Sequence, residues 1–130
     1  MNPTETVADY YEALRRGDPL APYFAERDDV VKFGVSERLS GYEAVAEGLR
    51  DQTRTTDDWG VESRRLRTTD RESVAWFTDE VELAWTPTDG DRRSFDTRWS
   101  GVLERVGNGP DRTESDWQFA QMHVSAPHEV

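Results

Sequence analysis

Apolar residues recur along this chain with two different periods. Near the start, Val7, Tyr10, Tyr11 and Leu14 follow the i, i+3, i+4, i+7 spacing of one buried helix face. Asn2 is placed to cap that helix, Pro3 suits its first turn and Glu5 sits at the capping-box position. Gly17, with Pro19 just beyond, ends it. A short helical piece is expected over 20–25 and a short strand over 30–33. A third helix is expected to open on a second capping box, Ser40 and Glu43, and to bury Tyr42, Val45, Ala46 and Leu49. Beyond Thr56 the period falls to two. It predicts four strands at roughly 59–67, 73–85, 94–106 and 116–125. Turn residues separate them at 69–71 and 87–90, and a long loop spans 107–115. The order α-α-β-α-β-β-β-β gives an α+β fold in one domain, 1–130: three N-terminal helices packed on a strongly curved, mostly antiparallel sheet.

One carboxylate breaks this pattern. Ala75, Phe77, Val81, Leu83 and Trp85 share a strand face, and Asp79 falls among them. A buried charge is costly unless it is paired or hydrogen-bonded, so Asp79 implies either a partner or a polar cavity. If Asp89-Gly90 forms a two-residue hairpin turn, Asp79 lies opposite Ser100, with Arg98 diagonal to it. A loop longer by an odd number of residues would break that register. Asp79, Arg98 and Ser100, facing Tyr10 from the first helix, would bind a polar group or move a proton. The alternative is a structural Asp79–Arg98 ion pair. Asp79 and Tyr10 are the candidate catalytic residues; Arg98, Ser100, Phe77, Phe33, Lys32 and Met122 are the candidate ligand contacts.

Charge narrows the classes. The formal net charge is −11, which speaks against unaided binding to nucleic acid or to anionic membranes. No apolar run approaches the ~18 residues of a spanning helix, no signal peptide is evident, and cysteine is absent; a cytoplasmic location is expected. Lys32 is the only lysine, against 15 arginines. Such an acidic, lysine-poor surface resembles that of proteins from salt-loving archaea, where salt screens self-repulsion; a GC-rich genome would also favour arginine and aspartate. Lys32 itself could serve as a base or Schiff-base former, or could extend to the rim. His123 and His128 are the only histidines and lack metal-ligand spacing; no metal or cofactor is expected, and His123 is assigned to the outer sheet face or an interface. Trp76, Trp85, Trp99 and Trp117 suit either a pocket for a flat ligand or the core and a dimer contact.

The segments Tyr10-Tyr11-Glu12-Ala13-Leu14-Arg15-Arg16-Gly17-Asp18, Tyr23-Phe24-Ala25-Glu26 and Ser40-Gly41-Tyr42-Glu43-Ala44-Val45 resemble nuclear transport factor two-like domains. Val74-Ala75-Trp76-Phe77, Ser100-Gly101-Val102-Leu103-Glu104-Arg105 and residues 116–125 resemble the later strands of the SnoaL-like branch, and the ending also resembles the association domain of calcium/calmodulin-dependent kinases. The resemblance covers nearly the whole chain. It implies a cone of helices and bent sheet around a pocket, with dimerisation through the outer sheet face in many members. Against ketosteroid isomerase, a superfamily member, the helix-one tyrosine falls on Tyr10, the general-base aspartate on Lys32 and the second acid near Ser100. Two of its three roles are missing, so isomerisation by that route is not expected. The resemblance implies a homodimer that binds a small apolar or aromatic ligand, with cofactor-free acid–base chemistry of isomerase, cyclase or lyase type. The alternative is a non-catalytic dimerisation or assembly module with a partly filled pocket. Fold alone does not choose between them.

Overall fold

The computed structural model describes residues 1–106 and 117–128. The loop expected over 107–115, and Asp116 at the start of the last expected strand, lie outside the described residues. Helix α1 (Pro3–Arg16) starts as its sequence dictates. Asn2 accepts from the Glu5 amide at 2.8 Å and Glu5 accepts from the Asn2 amide at 2.9 Å, closing the capping box. It stops at Gly17, whose φ of 74° is left-handed backbone that glycine adopts without a Cβ penalty. Its buried face carries Val7, Tyr10, Tyr11 and Leu14.

The expected second helix is only a three-residue 3-10 turn, Ala21–Tyr23, so the chain has two α-helices among its described residues rather than three at the N-terminus. Strands β1 (Val31–Gly34) and β2 (Glu37–Ser40) follow, joined by the two-residue turn Val35-Ser36. Because β2 runs through Ser40, that residue is not a cap: Gly41 is, and helix α2 (Tyr42–Thr55) has no side-chain cap.

The expected strand at 59–67 is two shorter ones, β3 (Thr56–Ser63) and β4 (Arg67–Asp70). Both pair with β5 (Val74–Pro87), which continues into β6 (Arg93–Arg105) and β7 (Trp117–Ser125). The order is β2-β1-β7-β6-β5-β3, with β4 also on β5; among the described strand pairs β1–β7 alone is parallel, and an isolated parallel bridge joins Phe24 to Phe119. This curved, unclosed seven-stranded sheet packs on the helices through an aromatic core. Tyr10 meets Tyr23, Phe24, Trp99 and Phe119 edge-on at ring separations of 5.4–6.2 Å, the geometry aromatic quadrupoles prefer.

Candidate functional site

The β5–β6 register decides which side chains meet. Asp79 pairs with Trp99, Thr78 with Ser100 and Glu80 with Arg98. The connection from Trp85 to Arg93 is longer than a two-residue turn, and the ladder is displaced by one residue from the expected pairing. With a side-chain period of two, that displacement sends Arg98 and Ser100 to the opposite face. Arg98 is exposed and Ser100 half-buried there. They share with Thr78, Glu80, His123 and Ser125 a shallow outer groove of about 500 Å³. Asp79 and Trp99 also border that groove, but both side chains are buried, on the inner side.

Asp79 has other partners. Its Oδ2 accepts from the Tyr11 hydroxyl at 2.8 Å and the Ser63 hydroxyl at 2.5 Å, and its Oδ1 accepts from the Arg65 amide at 2.9 Å. Arg65 lies where β3 has ended and β4 has not begun, so its N–H has no strand to bond. Asp79 supplies the missing acceptor and ties α1 to the break. Burial, and then the hydrogen bond to Asp79, push the Tyr11 phenol well above its ordinary value of 10.0.

A cavity of about 700 Å³ lies between the helices and the other end of the sheet. Tyr10 and Lys32 line it; Asp79, Phe77, Met122 and Phe33 do not. Phe77 and Met122 are core residues, fully enclosed. Phe33 sits on the outer face, its ring 5.5 Å from that of exposed His123. Of the four tryptophans singled out by sequence, Trp85 and Trp99 line the cavity; Trp117 is buried elsewhere and Trp76 is 41% exposed on the outer face. The two cavity residues are joined by one that sequence reasoning passed over, Glu37. Lys32 is 5% exposed and forms an ion pair with the Glu37 carboxylate. The signal was available: Gly34-Val35-Ser36-Glu37 is a hairpin turn, and it brings positions 32 and 37 onto one face. Gly34 leaves room for this contact. A Cβ on it would lie 2.6 Å from Glu37 Cγ and Oε1, in the space the carboxylate crosses to reach Lys32.

Among the described residues no protein group hydrogen-bonds the Tyr10 hydroxyl. Burial first, and the nearby Glu37 charge second, hold its phenol above the ordinary range, so it stays protonated. The cavity is thus lined by a protonated Tyr10 hydroxyl and by the Lys32–Glu37 ion pair. Leu83, Trp99 and Val124 give it an apolar wall, and Asp51, Gln52, Thr55, Thr56 and Arg93 also line it. Among the described residues no group of three or more His, Asp or Glu is arranged for a metal, and no helix is long and apolar enough to cross a membrane.

The family model that describes a SnoaL-like domain matches residues 4–129. The chain belongs to the SnoaL-like domain family. Solved structures share the fold of this SnoaL-like domain. A candidate dehydratase of the nuclear transport factor 2-like family from Streptomyces avermitilis superposes with a TM-score of 0.80 at 17% identity, over 97% of this chain and 94% of that one. A ketosteroid isomerase-like protein from Erwinia carotovora atroseptica gives 0.74 at 18%, over 97% and 94%. A candidate calcium/calmodulin-dependent kinase type II association domain from Thiobacillus denitrificans gives 0.73 at 16%, over 98% and 96%. Among curated proteins the chain has no match. At these identities the likeness establishes the SnoaL-like fold and nothing about the ligand.

Proposed function

We propose that this SnoaL-like domain binds a small, largely apolar molecule carrying one uncharged hydrogen-bonding group, and that Tyr10, Lys32 and Glu37 handle a proton on it. That the Tyr10 hydroxyl and the Lys32–Glu37 pair line one cavity carries the reading. A concave cavity of about 700 Å³ that combines aromatic and aliphatic side chains with polar and charged ones has the form of a ligand site. The Lys32–Glu37 pair is locally neutral and Tyr10 stays protonated, so the buried part of the cavity favours an uncharged group, while exposed Asp51 and Arg93 line it elsewhere. A carbonyl or hydroxyl oxygen would accept from Tyr10 Oη and Lys32 Nζ, with Glu37 placed to take a proton from a neighbouring atom. That suits the isomerase, cyclase or lyase classes, and relatives named as a dehydratase and as isomerase-like agree with it.

The test is calorimetric titration with 2-naphthol, a neutral bicycle with one hydroxyl. Saturable one-to-one binding is expected, weakened about tenfold or more in Tyr10→Phe and Lys32→Met, since each loses about one hydrogen bond. Equal affinity in all three proteins, or no binding to the unaltered chain, would refute the reading. Asp79 takes no part in this proposal; its role is to hold α1 against the β3–β4 break.

A second reading has its own observation. Trp76 is exposed on the outer sheet face, and Phe33 stands there with His123. Likeness to a structure named as an association domain is consistent with this face joining two copies. Dimerisation and ligand binding use opposite faces of the sheet and are compatible.

A further inference from the structure

Three rings at the open end of the cavity are arranged in sequence. Trp59 stacks on Trp85 with ring centroids 5.0 Å apart and planes 20° from parallel. Trp85 continues to Phe95 at 5.6 Å and 33°. All three line the cavity and all are half-buried, whereas the floor around Tyr10, Lys32 and Trp99 is closed. Trp85 and Phe95 come from regular strands. Trp59 does not.

A bulge in β3 between Asp57 and Gly60 carries Trp59 to this place. Within it Asp58 has a φ of 54°, the only positive φ of a non-glycine among the described residues, a conformation that surrounding structure must hold in place. Arg92 holds it. Its Nη1 donates to the Asp58 carbonyl at 2.8 Å and to Thr86 Oγ1 at 3.1 Å, bridging the bulge to the end of β5. Trp59 Nε1 donates to Thr56 Oγ1 at 2.9 Å, which sets the indole's rotation. Both the backbone strain and the two polar anchors are spent on presenting one indole face-on to another at the mouth, and bulges are a usual means of re-aiming a side chain beside a site.

We infer that Trp59, placed by this bulge and backed by Trp85, is the residue that makes the cavity select planar, unsaturated rings. The inference rests on the cavity being a ligand site and states which ligand shape that site takes. At 5.0 Å the two indoles leave no room for a ring between them, so a ligand ring extends the array on its cavity side. A flat π system gains offset or edge contacts there. A saturated ring of the same skeleton is thicker, has no π face and gains only burial.

The experiment compares 2-naphthol with decahydro-2-naphthol by calorimetry on the full chain. The unaltered protein is expected to bind both, with 2-naphthol at least about fivefold tighter after correction for their different transfer from water to octanol. Trp59→Ala should reduce that preference to about twofold or less. Trp59→Phe, which keeps a ring and guards against a folding defect in the alanine variant, should retain an intermediate preference. Arg92→Ala, which touches no ligand and only frees the bulge, should also lower it. An unchanged preference in Trp59→Ala and Arg92→Ala overturns the inference while leaving the ligand site standing. Failure of both compounds to bind the unaltered protein overturns the ligand site and the inference together.

Discussion

Asp79 shows how far a single residue can be read from sequence. Alternation along β5 puts its carboxylate inside, and it is 4% exposed. Its partners were not legible, because they come from a helix and from a strand break whose location depends on the whole sheet. The resulting network is a stability element. Replacing Asp79 with Asn keeps the shape but presents an amide donor where donors already converge, so a loss of about 1–3 kcal/mol is expected. Urea titration measures it, and 2-naphthol affinity should be unchanged; weaker binding with unchanged stability would reverse the assignment. Tyr11 adds a pH dependence. Its folded-state pKa is raised above the ordinary value of 10.0 by burial and by Asp79. The native state therefore keeps a proton that the unfolded chain releases. Its contribution is complete below about pH 10 and is lost as pH rises further. Tyr11→Phe should unfold less steeply with alkali than the unaltered chain, despite starting less stable. Gly34→Ala tests the cavity floor in the same way. The added methyl requires the Glu37 side chain to shift; breaking its bond to buried Lys32 should weaken 2-naphthol binding and lower stability by about 1–3 kcal/mol. Wild-type affinity in that variant would show that the pair plays no part in binding.

At the scale of elements, what was legible followed period and caps, and what was not followed register. The stripe of α1 and its capping box are local patterns, set by residues three and four apart, and both appear as read. The second α-helix was misjudged at its start because Ser40 and Glu43 form a plausible box, yet Leu39 and Ser40 pair with β1 and the strand wins. Bulges were invisible because one extra residue costs the alternation pattern almost nothing. The β7 bulge opposite Val102 and Leu103 moves Gln121 and His123 off the face of Trp117 and Phe119. The displaced β5–β6 ladder moved Trp99 inward and Arg98 outward, which is why the candidate cluster of Asp79, Arg98 and Ser100 did not assemble. Lys32 was legible as unusual, but its partner Glu37 required the hairpin to be seen. The β6–β7 contact itself gives a prediction. A Cβ at Gly101 would lie 2.4 Å from the Gln121 carbonyl oxygen and 2.8 Å from Phe77 Cε1. Backbone cannot yield as a flexible side-chain tip does, so Gly101→Ala should cost about 1–3 kcal/mol or more. A melting temperature within a degree of wild type would mean that the two strands are less closely joined than the structure has them.

For the molecule as a whole, charge and the outer face act together. The chain carries −11, and at low ionic strength, with a Debye length of about 30 Å at 0.01 M, those charges repel across the entire domain. Folding concentrates them and pairing two chains concentrates them further. Molar KCl, which shortens the Debye length to about 3 Å, should raise the melting temperature substantially and more than a neutral osmolyte of equal osmolality. The same salt should strengthen association. Trp76, Phe33 and neighbouring Val102 give the outer face its apolar content. Burial of that content is insensitive to screening, but the repulsion opposing it is not. Light scattering should therefore give about twice the 14.9 kDa chain mass in molar KCl and a lower weight-average mass in dilute buffer. Trp76→Glu should dissociate the pair at every salt concentration without altering 2-naphthol binding in the folded monomer, because its side chain leaves the sheet on the face away from the cavity. A monomer at micromolar concentration in molar KCl would rule out the outer face as an interface. Dimerisation that weakens as KCl is added would instead mean that the contact is made by ion pairs, from the exposed arginines around Arg98, rather than by the aromatic surface.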